Sequence, residues 1–172
     1  MNLDDLELVI YPAEILEKKT EPVDISNPGF DPKELKAKMA EIMLASGGIG
    51  LSANQVGLDA QVFIMGDTTA NTKICINPIV LQHTAEKTLD HEGCLSFPKM
   101  FVKVQRPKEI LVEFYDENME QVTTKITGYT ARVFLHEFDH LQGITMKDRV
   151  GKLKWQRAEE KKNKVAKRKA KA

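Results

Sequence analysis

His136 and His140 stand four residues apart in the stretch HEFDH, with Glu137 directly after the first of them. On a helix this spacing puts both imidazoles on one face, where their ring nitrogens can converge on a single ion. Glu137 lies about 100° around from His136, so its carboxylate can lean over the open side of that ion without binding it. The chemistry this points to is metal-assisted hydrolysis of an amide. The bland counterpart is a helix that carries two packed or solvated histidines.

A two-histidine helix needs a third ligand. No His follows Asp148, and Glu159 and Glu160 sit among lysines. The downstream ligand used by ordinary HExxH peptidases is therefore missing. Cys94, in HEGCLSFP, is the better candidate, because a thiolate is a strong soft ligand and a bound metal favours its deprotonation. Two His and one Cys would leave one position open. A lone Cys is also commonly a small buried residue, and only its surroundings can decide between the two.

The elements that must position these groups are partly legible. Asp31 reads as an N-cap and Pro32 as a first-turn residue of a helix with Leu35, Met39, Ile42 and Met43 at helical spacing, ending at Gly47 and Gly48. Residues 60–66, 73–81 and 109–116 are β-branched and aromatic runs that read as strands. Residues 130–140 have helical periodicity, with Val133, His136, Glu137 and His140 near one side of a buried helix. Strands and helices in this arrangement predict an α+β fold, with antiparallel sheets wrapped around the helix that carries HExxH.

At 172 residues and 42% apolar composition the chain supports one core. The expected division is a catalytic domain over residues 1–151 and a basic, partly helical tail over residues 152–172. Formal net charge is zero, from 25 basic and 25 acidic residues, which argues against a general DNA or membrane binder. The balance is uneven along the chain. Residues 152–172 hold ten Lys or Arg against two Glu, and with almost no apolar residue past Trp155 the far end of the tail is expected to fray. No signal peptide, transit peptide or run of roughly 18 apolar residues is seen, so the expectation is a cytoplasmic, soluble monomer. Cys75 and Cys94 are too few for a disulfide framework.

Three segments together resemble peptide deformylase: GIGLSANQVG at 48–57, EGCLSFP at 92–98 and HEFDHLQG at 136–143. Their order and separations fit the family, and the resemblance runs from about Ile10 to Val150. Ser52 stands where the family usually has Ala. The resemblance implies removal of the formyl group from the N-terminal methionine of new polypeptides, with release of formate. It implies that Cys94, His136 and His140 hold one divalent ion, with ferrous iron native and zinc, nickel or cobalt as substitutes. A water on that ion would attack the formyl carbon, with Glu137 moving its proton to the leaving amine. Gln55 and the backbone N–H of Leu95 would steady the formyl oxygen.

Ile49 and Gly50 on one side and Gly93 on the other would pair with the substrate as an added strand. Ile49 and Val133 would form the methionine pocket. Glu92 and Arg106 could pair and fix the loop bearing Cys94, although the common outcome for such a pair is an exposed one worth about 0 to 1 kcal/mol. His83, His91 and Cys75 read as structural or solvated. The tail reads as a solvated helix face that aids solubility or, from its charge, as a segment that docks on ribosomal RNA. Two other classes compete: a zinc endopeptidase with a cleft open at both ends, and a non-catalytic module whose fourth ligand closes the site.

Overall fold

The structure, a computed structural model, describes residue 3 and residues 5–169. Helix α1 (Pro32–Ala45) starts where the sequence predicts: the Asp31 carboxylate accepts from the backbone N–H of Lys33 and Glu34, and Pro32 opens the first turn. It buries Leu35, Met39 and Met43 and stops at Gly47, whose φ of 71° suits a residue without a side chain.

Seven strands follow one another: β1 (Gly50–Ser52), β2 (Val62–Met65), β3 (Lys73–His83), β4 (Lys87–Cys94), β5 (Phe97–Pro107), β6 (Glu109–Tyr115) and β7 (Gln121–Thr127). Five form an antiparallel sheet in the order β1-β2-β3-β6-β7, and β4 and β5 form a separate antiparallel pair. Val62, Ile64, Ile74 and Ile76 of the large sheet pack against α1. Phe63, Cys75, Ile110 and Val112 take part in a second core with Phe134.

Helix α2 (Gly128–Leu141) lies against β1, β2, β6 and β7 of the large sheet and against β5 of the pair. It buries both apolar and charged residues: Ala131, Phe134 and Leu141 beside Arg132, His136, Glu137, Asp139 and His140. Helix α3 (Lys152–Lys169) is anchored by Trp155, whose ring meets Phe97 edge-on at 5.5 Å between centroids. The chain stays helical to Lys169. The expectation for residues 170–172 lies outside the described residues.

The β4–β5 pair is where pattern reading falls short. The segment bearing Cys94 is not a loop: Cys94 closes β4, and Leu95 and Ser96 make the tight turn into β5. β4 is polar along most of its length because it is largely exposed, so it lacks the apolar alternation that announces a strand. In β5 the alternation is present, with Met100, Val102, Val104 and Arg106 turned inward.

Candidate metal centre and active site

Two elements carry the three candidate ligands. Cys94 sits at the end of β4, while His136 and His140 project from one face of α2. The sulfur and one nitrogen of each ring all lie within 4.8 Å of one another. Cys94 Sγ is 3.2 Å from His140 Nε2, and the two rings are 5.0 Å apart between centroids. Two soft or borderline nitrogen donors and one sulfur, converging from two elements, suit a transition-metal or zinc ion.

Each histidine is set differently. His136 Nδ1 lies 3.0 Å from Glu92 Oε2. A proton donated there leaves the lone pair on Nε2, the usual arrangement for a ligating imidazole. Burial disfavours charge on His136, yet the neighbouring Cys94 and Glu92 hold its pKa well above the ordinary value. An ion held by the same groups would compete with that proton. Burial and the proximity of His136 keep His140 neutral, with its pKa far below normal. His140 Nδ1 and Glu137 Oε2 are buried and lack a hydrogen-bond partner among the described residues. Buried polar atoms are normally satisfied, so the free Glu137 Oε2, on a residue that lines the cavity, suits a further polar species there.

Glu137 is 4% exposed, and burial pushes its pKa up to about 7 against the opposing charge of His136. A carboxylate poised there can accept and return a proton near neutral pH. Its position depends on Gly50: a Cβ at residue 50 would collide with Glu137 Oε1. A Cβ at Gly48 would likewise come within 2.7 Å of Leu95 Cδ1. These glycines first of all make room for neighbouring side chains of the chain itself.

Gln55 lies in the short 3₁₀ turn Ala53–Val56 that follows β1. Its Oε1 accepts from the Ser52 backbone N–H at 3.0 Å, which turns Nε2 toward Ser96 Oγ at 3.0 Å and Cys94 Sγ at 3.3 Å. The Ser52 hydroxyl, fully buried, sits 2.8 Å from Asn54 Oδ1 and 3.0 Å from Gln55 Oε1. Asn54 in turn donates to the carbonyl of His140 at 2.8 Å.

A cavity of about 610 Å³ opens beside this cluster. Ile49, Gly50, Gly93, Leu95 and Val133 all line it, as do Gln55 and Glu137. Among the described residues β1 pairs only with β2, and β4 only with β5, so each strand turns one edge outward without a strand partner there, and residues near both edges line the cavity. His91 lines its rim and is exposed, His83 is exposed away from it, and Cys75 is fully buried with its thiol pKa raised by burial.

The sequence of the whole chain supports one reading of this geometry. The family model described as polypeptide deformylase matches residues 5–156. The chain belongs to the polypeptide deformylase family. It is 36% identical over 144 residues to the peptide deformylase of Borreliella burgdorferi, covering 83% of this chain and 86% of that one. The peptide deformylase of Synechococcus elongatus, solved in complex with actinonin, superposes with a TM-score of 0.82 at 31% identity, covering 92% and 86% of the two chains. That of Thermotoga maritima gives a TM-score of 0.77 at 36% identity, covering 85% and 97%. The chain is therefore a hydrolase of the deformylase kind. The deformylase family depends on a metal, and Cys94, His136 and His140 are the group here that could hold one. No helix among the described residues is long and apolar enough to cross a membrane.

Around this deformylase centre the structure adds charges that sequence reading missed or left open. Glu92 and Arg106 are not an exposed pair: they are 5% and 4% exposed, joined by two hydrogen bonds of 2.9 Å. Burial would raise the Glu92 pKa, but hydrogen bonds from His136 and Arg106, with their charges, hold it down at about 2. Arg106 also reaches Asp139, which takes a further pair of bonds from Arg149. Arg132, one turn before His136, joins the same group at Glu92. An Arg on a helix face otherwise destined for burial was the available signal, since a buried guanidinium requires a carboxylate partner.

Proposed function

We propose that this chain removes the formyl group from the N-terminal methionine of new polypeptides and releases formate, acting as a monomer in the cytoplasm. The observation that carries this reading is the convergence of Cys94, His136 and His140 beside buried Glu137, in a cavity bordered by two strand edges without a strand partner among the described residues. Cys94, His136 and His140 would hold the ion, which when bound supplies a Lewis acid that makes water acidic enough to act near neutral pH.

The remaining chemistry belongs to side chains of this chain. Glu137 accepts the proton of the attacking water at its carboxylate and passes it to the departing amine nitrogen. Gln55 Nε2 and the Leu95 backbone N–H donate to the formyl oxygen as it gains charge. Gln55 Nε2 carries two protons, directed at Ser96 Oγ and Cys94 Sγ, and one of them would be exchanged for the substrate oxygen. Ile49 and Gly50 on one side and Gly93 on the other pair with the substrate backbone. Ile49 and Val133 receive the methionine side chain. Main-chain pairing reads no side chains, so residues after methionine are tolerated broadly.

Formate release from formyl-methionyl peptides tests the proposal. Protein purified without oxygen and loaded with iron, nickel or cobalt should release formate, and a protein that instead frees amines from an internal peptide bond is an endopeptidase. With iron as the native ion, activity should decay in air. The cluster among the described residues has three ligand groups rather than four, which favours an open site over a structural staple.

The basic helix α3 is proposed to dock on ribosomal RNA. Because Trp155 is buried and Ala158 packs beside it, a chain ending at Glu160 is the proper comparison. Equal co-sedimentation with ribosomes for that chain and the full-length protein rejects the docking.

A further inference from the structure

Arg132 is 4% exposed, and every acceptor its guanidinium is seen to use lies on the β4–β5 pair. Nη1 donates to Glu92 Oε1 and to the Val104 carbonyl, both at 2.8 Å. Nη2 donates to the carbonyl and hydroxyl of Thr88 at 2.9 and 3.0 Å. One side chain thus ties α2 to β4 at two places and to β5 at a third. The other oxygen of Glu92 faces His136 Nδ1, and β4 ends at Cys94.

The two elements that carry the candidate ligands are therefore joined through Arg132. Apolar contacts alone would let a two-stranded ribbon slide against a helix, because dispersion and apolar burial have little directional preference. A planar guanidinium with four hydrogen bonds does not slide. Arg106, on β5, makes a second link from the ribbon to α2 at Asp139, beyond His136, whereas Arg132 grips both strands one turn before His136 and shares Glu92 with that histidine.

We propose that Arg132 is a positioning residue of the ion centre, which sets the spacing between the Cys94 sulfur and the His136 imidazole and fixes the His136 tautomer through Glu92. This rests on the reading that Cys94, His136 and His140 hold an ion. A purely structural role would lower stability and leave the folded centre unaltered, which separates the two.

The test uses the full chain with Arg132→Met, which keeps length and removes the bonds. Zinc affinity is measured by competition with a chromophoric chelator, the cobalt-loaded absorption spectrum is recorded, and thermal unfolding of the metal-free protein is followed separately. Zinc binding should weaken about 10- to 100-fold, and the thiolate-to-cobalt band should move. Arg132→Lys keeps the charge without the fork and should restore only part of the affinity. Affinity within about twofold of the parent, with an unchanged cobalt spectrum, overturns the proposal whatever the melting temperature. If Arg132→Met fails to fold, Thr88→Val decides: it removes one acceptor and should weaken zinc about two- to fivefold, and no change overturns the proposal. A parent protein that binds no zinc or cobalt would instead remove the metal-centre reading itself.

Discussion

The large sheet with α1 and the β4–β5 ribbon with α2 are held together by different forces. Between α1 and the sheet the contacts are Leu35, Met39 and Met43 against Val62, Ile64, Ile74 and Ile76. Between the ribbon and α2 they are chiefly Glu92, Arg106, Arg132 and Asp139, all buried. Apolar packing stabilises whatever fits and tolerates small shifts. Buried ion pairs add little net stability over apolar residues of the same size, but they hold one geometry and cost dearly when half of a pair is removed. The ribbon–helix contact is thus the one suited to setting a distance between a sulfur and two imidazoles. Scaffold and site are divided along this line.

The largest expected effect tests the site side alone. Glu137→Gln should lower formate release by about 10²- to 10⁴-fold, while the metal content and melting temperature stay near those of the parent. A smaller loss than tenfold would mean that another group moves the proton.

Next comes a matched pair. Arg106→Met, which removes the buried cation between Glu92 and Asp139 and leaves them to Arg132 and Arg149, should cost about 3 to 5 kcal/mol in urea unfolding. Leu35→Ala, which empties a fully buried site in the α1 core, should cost about 2 to 5 kcal/mol. Similar losses in stability should part company in metal affinity, which falls for Arg106→Met and holds for Leu35→Ala. If both variants bind zinc equally well, the division between the regions is wrong.

Gly50→Ala sharpens the comparison from the edge of the large sheet. The new methyl group displaces Glu137, so formate release should fall about 100-fold with little change in thermal unfolding, because only a flexible side chain must move. Ser52→Ala should be the mildest. It removes one buried hydroxyl and leaves the Ser52 backbone N–H still holding Gln55, at about 1 kcal/mol of stability and a correspondingly small loss of rate.

What could be read in the residues differs from element to element. Helix α1 was legible because Asp31, Pro32 and the apolar spacing all act within a few residues. Strands β2, β3 and β6 were legible for the same reason, as apolar runs between turn residues. β4 was missed because its side chains are mostly in solvent and its status as a strand depends on a partner elsewhere in the chain. Whether Glu92 and Arg106 form a bracing pair or an exposed one stayed open in the sequence, because burial of a charge is set by what packs over it, in this case α2 with Arg132 and Asp139.

By itself the chain determined the candidate ligand types and the helical face shared by His136 and His140, since periodicity is a local property. It also marked Cys94 as the candidate third ligand, through the chemistry of sulfur and the motif around it. Only the tertiary structure decided that the sulfur meets those rings, that Glu137 lies in the space left by Gly50, and that four buried charged side chains brace the assembly. Distances across elements far apart in sequence arise from packing and from desolvated charges, and no local pattern encodes either one.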